Sequence, residues 1–297
     1  MKIVQSFWSR PVFAPFSAKN DDRSFGGWNS RKYYYMSWAL SCLRLRQYYN
    51  DLDLYTDSAG KEILIDRMKL PYISVHTALD DLQDFDPYLW TVGMLLTYKL
   101  QREPFIHVDG DIFIWERFGK RIENARLLAQ NIESNEDYYC ETVSTLVDHF
   151  DIPSQWRDHL LHNNEMEITN TGIVGGHDLD FMSKYSTQAL DIIYKNLDKT
   201  STVKKGVYGV TVEQSLFHSL AREHNIDVEY YFRGKLEYDN NPSLFRFYQV
   251  PGKVKYIHPL ATTKRSLAIQ NAVEASLRHL YPDVYFRILK LCSDFEL

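Results

Sequence analysis

Within the first 115 residues, short apolar runs alternate with helix-length segments, and this alternation restricts the fold more than any single motif. Residues 2–7 read as a strand, 31–49 as a long helix and 52–57 as a second strand followed by a short helix through Arg67. Residues 72–79 read as a third strand. Asp86 and Pro87 supply an N-cap and a first-turn proline for a helix reaching about Gln101, and 105–108 form the next strand. Residues 18–29, rich in Gly, Asn and Asp, read as a loop. Strand–helix alternation of this kind predicts an α/β fold, with a mixed, mostly parallel sheet covered by helices on both faces.

In such sheets, ligands bind beyond the carboxyl ends of the strands. Ser6, Trp8, Asp57 and the triplet Asp109-Gly110-Asp111 are all expected there. Two carboxylates at i and i+2 of an extended segment leave the backbone on one side, offering two hard oxygen ligands to one divalent cation. His258, ending the apolar run Tyr256-Ile257, is a third candidate ligand. Carboxylates plus an imidazole suit Mn²⁺, or Mg²⁺, and such a cation can bind a diphosphate from its open positions. Taken alone, two Asp residues of this kind cap a strand and its turn.

The chain reads as one domain over 1–265 with a helical extension, 266–297, packed on it. Residues 133–165 form an acidic helical insertion containing Tyr138, Tyr139 and Trp156. Residues 168–174 resume a strand carrying Asn170-Thr171-Gly172, with Gly175-Gly176 immediately after. Residues 199–209 are a polar, basic, glycine-containing stretch expected to be a mobile lid, and 239–243 mark a turn. A net charge of −5 gives no basic face for nucleic acid. Three widely spaced cysteines form no CxxC pair, pointing to a reducing, cytoplasmic setting. The N-terminal apolar stretch is too short for a signal peptide, and no run approaches the roughly 18 apolar residues of a spanning helix. Aromatic and basic residues in 278–290 leave room for a peripheral membrane contact through the last helix.

With these pieces in order, the chain resembles GT-A glycosyltransferases, most closely glycosyltransferase family 8. The resemblance runs over about residues 1–265. It comprises an Asp-x-Asp after an apolar strand (Asp109, Asp111), an Asn-Ser-Gly-like strand (Asn170-Thr171-Gly172), an acidic-Gln pair on a helix (Glu213-Gln214), and a His followed by Lys six residues on (His258, Lys264). Thr171 stands for Ser, Glu213 for Asp and Ala261 for Gly, and Arg265-Ser266 replaces a Pro-Trp.

The resemblance implies a hexosyltransferase that moves a sugar from a nucleoside-diphosphate sugar, UDP-sugar favoured, to a glycan or glycolipid acceptor. It places the cation on Asp109, Asp111 and His258 and the diphosphate near Lys264. The donor lies near Asn170, Thr171, Gly172, Gly175 and Gly176, and the nucleoside near Ser6, Trp8 and Asp57. Gln214 falls on the far face of the sugar if configuration is retained, as the resemblance favours; Glu213 would be the base if it is inverted. Two rivals from other classes remain: a degenerate fold that binds sugar nucleotides or a partner without turnover, and a non-haem iron oxygenase using His107, Asp109 and His258, with Arg265 as an oxoacid clamp.

Overall fold

The computed structural model describes residues 1–14, 24–134, 136–162, 167–234, 236 and 241–294. A seven-stranded sheet forms the centre. Its strands are β1 (Lys2–Phe7), β2 (Leu52–Thr56), β3 (Ser74–His76), β4 (Phe105–Val108), β6 (Leu127–Ser134), β7 (Glu167–Gly176) and β8 (Val228–Tyr230), in spatial order β3-β2-β1-β4-β7-β6-β8. The two remaining strands, β5 (Phe113–Ile114) and β9 (Tyr256–Ile257), pair with each other in a small ribbon. Four pairings in the main sheet are parallel; β7 alone runs against both its neighbours.

Eight helices of nine residues or more lie among the described residues: α1 (Arg31–Tyr48), α2 (Thr91–Lys99), α3 (Glu136–His149), α4 (Ser154–His162), α5 (Leu179–Lys195), α6 (Lys205–Glu223), α7 (Leu267–Leu280) and α8 (Pro282–Ser293). Alternate strand residues serve opposite faces. Ile3, Phe7, Leu54 and Ile106 pack into a core with α1, α7 and α8, whereas Val4, Trp8 and Phe105 pack into a second core with α2, α5 and α6. Ile3, Val4, Leu54, Phe105 and Ile106 are fully buried. Each contributes on the order of 1.5–3 kcal/mol by leaving water, which ties the sheet to both helical layers. The mixed, mostly parallel sheet with helices on both faces is therefore present.

Several local expectations need correction. The third strand is only Ser74–His76, because Leu79 and Leu82 enter the second core from a 3₁₀ turn, Ala78–Leu82, rather than by strand alternation. Asp86 caps its own turn by accepting from the Tyr88 N–H, and α2 begins later, at Thr91. Residues 133–134, expected to open the helical insertion, instead end strand β6 inside the sheet, and the helices α3 and α4 follow it. The expected lid over 199–209 is a 3₁₀ turn, Leu197–Thr202, followed by the start of α6. Val207, Tyr208 and Val210 are buried there, and their burial holds the segment as helix. Gly175 and Gly176 lie inside β7. Parts of the 18–29 loop and the 239–243 turn, the side chain of Tyr138, and Glu165 fall outside the described residues. No helix among the described residues is long and apolar enough to cross a membrane.

Candidate active site

β1 and β4 lie side by side, Val4 opposite His107, so their carboxyl ends open at the same edge. Beyond Val108 the chain turns through Asp109-Gly110-Asp111, where Ile112 N–H donates to the Asp109 carbonyl at 3.2 Å and Asp109 N–H donates to Gly172 O at 2.9 Å. A turn at this depth must satisfy its carbonyls. Ser41 Oγ and Gln5 Nε2 donate to Asp109 O, both at 3.3 Å, and Ser37 Oγ donates to Gly110 O at 3.1 Å. Strand β1 and helix α1 thus hold the backbone and leave both carboxylates free to face the cavity.

The ribbon then brings in the third group. Phe113 pairs with Ile257 and Ile114 with Tyr256, so His258 follows β9 directly beside Asp111. His258 Nε2 lies 3.3 Å from Asp111 Oδ1. The ligating atoms of Asp109, Asp111 and His258 all lie within 4.8 Å of one another. Asp111 Oδ1 is buried and accepts no hydrogen bond from the described residues. Two hard oxygens and an imidazole nitrogen directed into one small space, one of the oxygens unsatisfied, fit a divalent cation such as Mn²⁺ or Mg²⁺. Lys264 forms an ion pair with Asp111 Oδ2 and donates to Gly26 O at 2.8 Å.

The two carboxylates are electrostatically unlike. Burial pushes the Asp109 carboxyl well above its ordinary range, and the negative charges of Asp111 and Glu213 add to that. Burial also opposes ionisation of Asp111, but Lys264 and His258 outweigh it and hold that carboxyl below its ordinary range. His107 lies behind Asp109, its Nε2 2.9 Å from Ser6 Oγ, and burial lowers it to about 3, so it is neutral.

A cavity of about 330 Å³ opens in front of these groups. Ser6, Trp8, Asp109, Asp111, Asn170, Gly172, Gln214, His258 and Lys264 all contribute to its wall. Gln214 reaches it from α6, its Oε1 accepting from Tyr139 OH at 3.2 Å and its Nε2 3.4 Å from Thr171 Oγ1. Asn170 is held on both sides: its Nδ2 donates to Glu133 Oε2 at 2.9 Å, and its Oδ1 accepts from Gly172 N–H at 3.0 Å.

The other expected residues are placed elsewhere. Asp57 accepts from Ser9 N–H, Ser9 Oγ and Gly60 N–H, capping the turn after β2 instead of facing a nucleoside. Glu213 is fully buried beneath the cavity, with Tyr98 OH donating to its Oε1 at 2.8 Å. Thr171 is not part of the cavity wall, and its Oγ1 lies 3.4 Å from Gln214 Nε2 on α6. Gly175 and Gly176 are pressed between strands. A Cβ on them would come within 2.2 Å of Phe105 O and 2.3 Å of Arg126 O, so their small size serves sheet packing, not a donor. Gly172 is small for a third reason: a Cβ there would meet His258 Cε1 and Gln130 Oε1, each at 2.5 Å. His107 is absent from the cation-competent cluster, which removes the geometric basis of the oxygenase reading.

Two residues of the site went unread in the sequence. Glu133 lines the cavity, and burial raises its carboxyl, with Asn170 and His258 pulling it partly back. Gln130 lies under His258. Their only sequence signal is the apolar run Leu127-Leu128-Ala129, which marks a strand and hence two side chains that can approach the sheet edge.

The family model of a family of unknown function, DUF6734, matches residues 1–291, and the chain belongs to that family. No curated protein matches the sequence. Among solved structures, the chain is similar to the glycosyltransferase GlyE of Streptococcus pneumoniae TIGR4, with 11% identity and a TM-score of 0.44 over 99% of this chain. It spans 64% of the length of that GlyE chain. It is also similar to mouse xyloside xylosyltransferase 1 in its apo form, with 12% identity and a TM-score of 0.42, covering 88% of this chain and 98% of that one.

Proposed function

We propose that this member of the DUF6734 family is a metal-dependent glycosyltransferase. In this reading it transfers a sugar from a nucleoside-diphosphate sugar, UDP-sugar favoured, to a hydroxyl of a glycan or glycolipid. The observation that carries the reading is the convergence of Asp109, Asp111 and His258 within 4.8 Å at the sheet's carboxyl edge, with Lys264 on Asp111 and Gln214 in the same cavity.

A bound divalent cation would neutralise the departing diphosphate as a Lewis acid. Lys264 adds a compact positive charge to the same phosphates, for which it exchanges its contacts with Asp111 and Gly26 O. Ser6 and Trp8 form the wall on the β1 side, where the nucleoside is expected. Gln214, steered by Tyr139 and Thr171, presents an amide to the transferred sugar. Retention is favoured because Gln214 reaches the cavity while Glu213, the carboxylate that inversion would use, is sealed against Tyr98.

The test is calorimetric titration of nucleoside diphosphates and sugar nucleotides with Mn²⁺ and with chelator, on wild type and Asp111→Ala. The expected result is tight binding of one nucleotide in the presence of Mn²⁺ only, abolished together with sugar transfer in a folded Asp111→Ala chain. Unchanged turnover in that variant refutes the mechanism.

A further inference from the structure

The irregular stretch of β6 carries a chain of side-chain hydrogen bonds that ends on His258. Between the pairs Ala129–Val174 and Asn131–Asn170, the single residue Gln130 opposes three residues of β7, Thr171 to Ile173. Such a bulge re-aims the side chain it carries. Gln130 and Asn131 are both buried, at 0% and 2% exposure, so their amides need partners within the protein.

Those partners have a fixed polarity. Ile132 O, a backbone carbonyl, can only accept, and it accepts from Asn131 Nδ2 at 3.1 Å. Asn131 must therefore present Oδ1 on its other side, and Gln130 Nε2 donates to it at 3.0 Å. Gln130 in turn presents Oε1, which takes the Tyr256 hydroxyl at 2.5 Å and His258 Nδ1 at 2.6 Å. An amide oxygen accepts only, so Nδ1 must carry the proton.

We propose that Gln130, oriented by Asn131 and Ile132 O and braced by Tyr256, is a positioning residue that locks His258 in the tautomer whose Nε2 lone pair faces Asp109 and Asp111. The inference rests on the reading of those three residues as a cation site. It fits the spacing of the pair: with its other proton held on Nδ1, His258 Nε2 stands 3.3 Å from Asp111 Oδ1, close enough for both atoms to share one ion once Nε2 carries no proton. Gly172 completes the device, since any side chain there would occupy the space where Gln130 Oε1 meets the imidazole. A ring freed from this acceptor samples the tautomer with its proton on Nε2, which cannot ligate through that atom.

The experiment uses the full-length chain stripped with chelator and labelled with ¹⁵N. Long-range proton–nitrogen correlation spectra report the His258 tautomer, and Mn²⁺ titration of the same samples reports affinity. Wild type is expected to show a proton on Nδ1, which leaves Nε2 as the atom offered to Mn²⁺. Gln130→Leu, which removes the acceptor, is expected to lose the single tautomer and bind Mn²⁺ about 10- to 100-fold more weakly. Gln130→Glu keeps an acceptor toward Nδ1 but loses the donor to Asn131 Oδ1, and is expected to keep the proton on Nδ1 and to bind Mn²⁺ more tightly than Gln130→Leu.

A wild-type His258 whose Nδ1 carries no proton overturns the proposal, as does a folded Gln130→Leu chain with wild-type Mn²⁺ affinity. If Gln130→Leu does not fold, the wild-type tautomer and the Gln130→Glu titration decide. Wild type with the expected tautomer but no Mn²⁺ binding overturns the cation reading while supporting the hydrogen-bond chain.

Discussion

Replacing Glu213 by Gln should change how the stability of this protein depends on pH. Glu213 is fully buried, with Tyr98 OH on its Oε1 at 2.8 Å. Burial raises its carboxyl from 4.5 to about 7, against the pull of the Tyr98 and Thr171 hydroxyls. The unfolded chain releases this proton near 4.5, whereas the folded chain keeps it to about 7. Between those values the folded state binds more protons, so stability falls as pH rises, and it levels off above about 7. At about 1.4 kcal/mol per pH unit, the full penalty is on the order of 3 kcal/mol. Glutamine keeps the oxygen that accepts from Tyr98 and never ionises. Urea unfolding with chelator at pH 5, 6, 7 and 8 should therefore show Glu213→Gln gaining steadily on wild type, with most of the gain complete by pH 8. A difference that stays flat to within about 0.5 kcal/mol across that range would refute the reasoning, because it would mean that Glu213 titrates alike in both states.

Other perturbations follow from the same geometry. Gly172→Ala would put a methyl 2.5 Å from His258 Cε1, so the ring must move. It should weaken Mn²⁺ binding in titration more than tenfold and cost about 1–3 kcal/mol in unfolding experiments. Ala261 stands at φ 42°, in the left-handed region that disfavours a side chain. Ala261→Gly should leave stability unchanged or raise it by up to about 1 kcal/mol in a thermal melt, since relief of strain offsets the added entropy of the unfolded chain. Lys264→Met removes the cation that holds Asp111 ionised, and it should weaken nucleoside-diphosphate binding about tenfold in calorimetry while the chain stays folded.

The alternation of apolar and polar runs was enough to place the sheet's first four strands and the long helices between them, though not every boundary, because the period of each element is a local property whichever distant elements cover it. The Asp109 and Asp111 pair was legible for the same reason: it ends an apolar strand, and in a parallel sheet the carboxyl end is where ligands gather. Asp57 shows the limit of that argument. It sits at the correct end of β2, yet Ser9 and Gly60 use its carboxylate for capping, a competition that a linear pattern does not record. Glu213 and Gln214 are adjacent on one helix, and only the packing of α6 decides that the amide reaches the cavity while the acid is buried against Tyr98.

By itself, then, the sequence determined the layered α/β class, the carboxylate pair and a list of candidate polar groups for a site, since these follow from residue type and local period. Which of those groups meet was decided only in three dimensions. His258 joins Asp111 because β5 pairs with β9, and its ring has an acceptor because a bulge turns Gln130 beneath it. Both are pairings between segments apart in sequence; the first buries Phe113, Tyr256 and Ile257 in the shared core, a collective property of the folded chain that no local stretch carries.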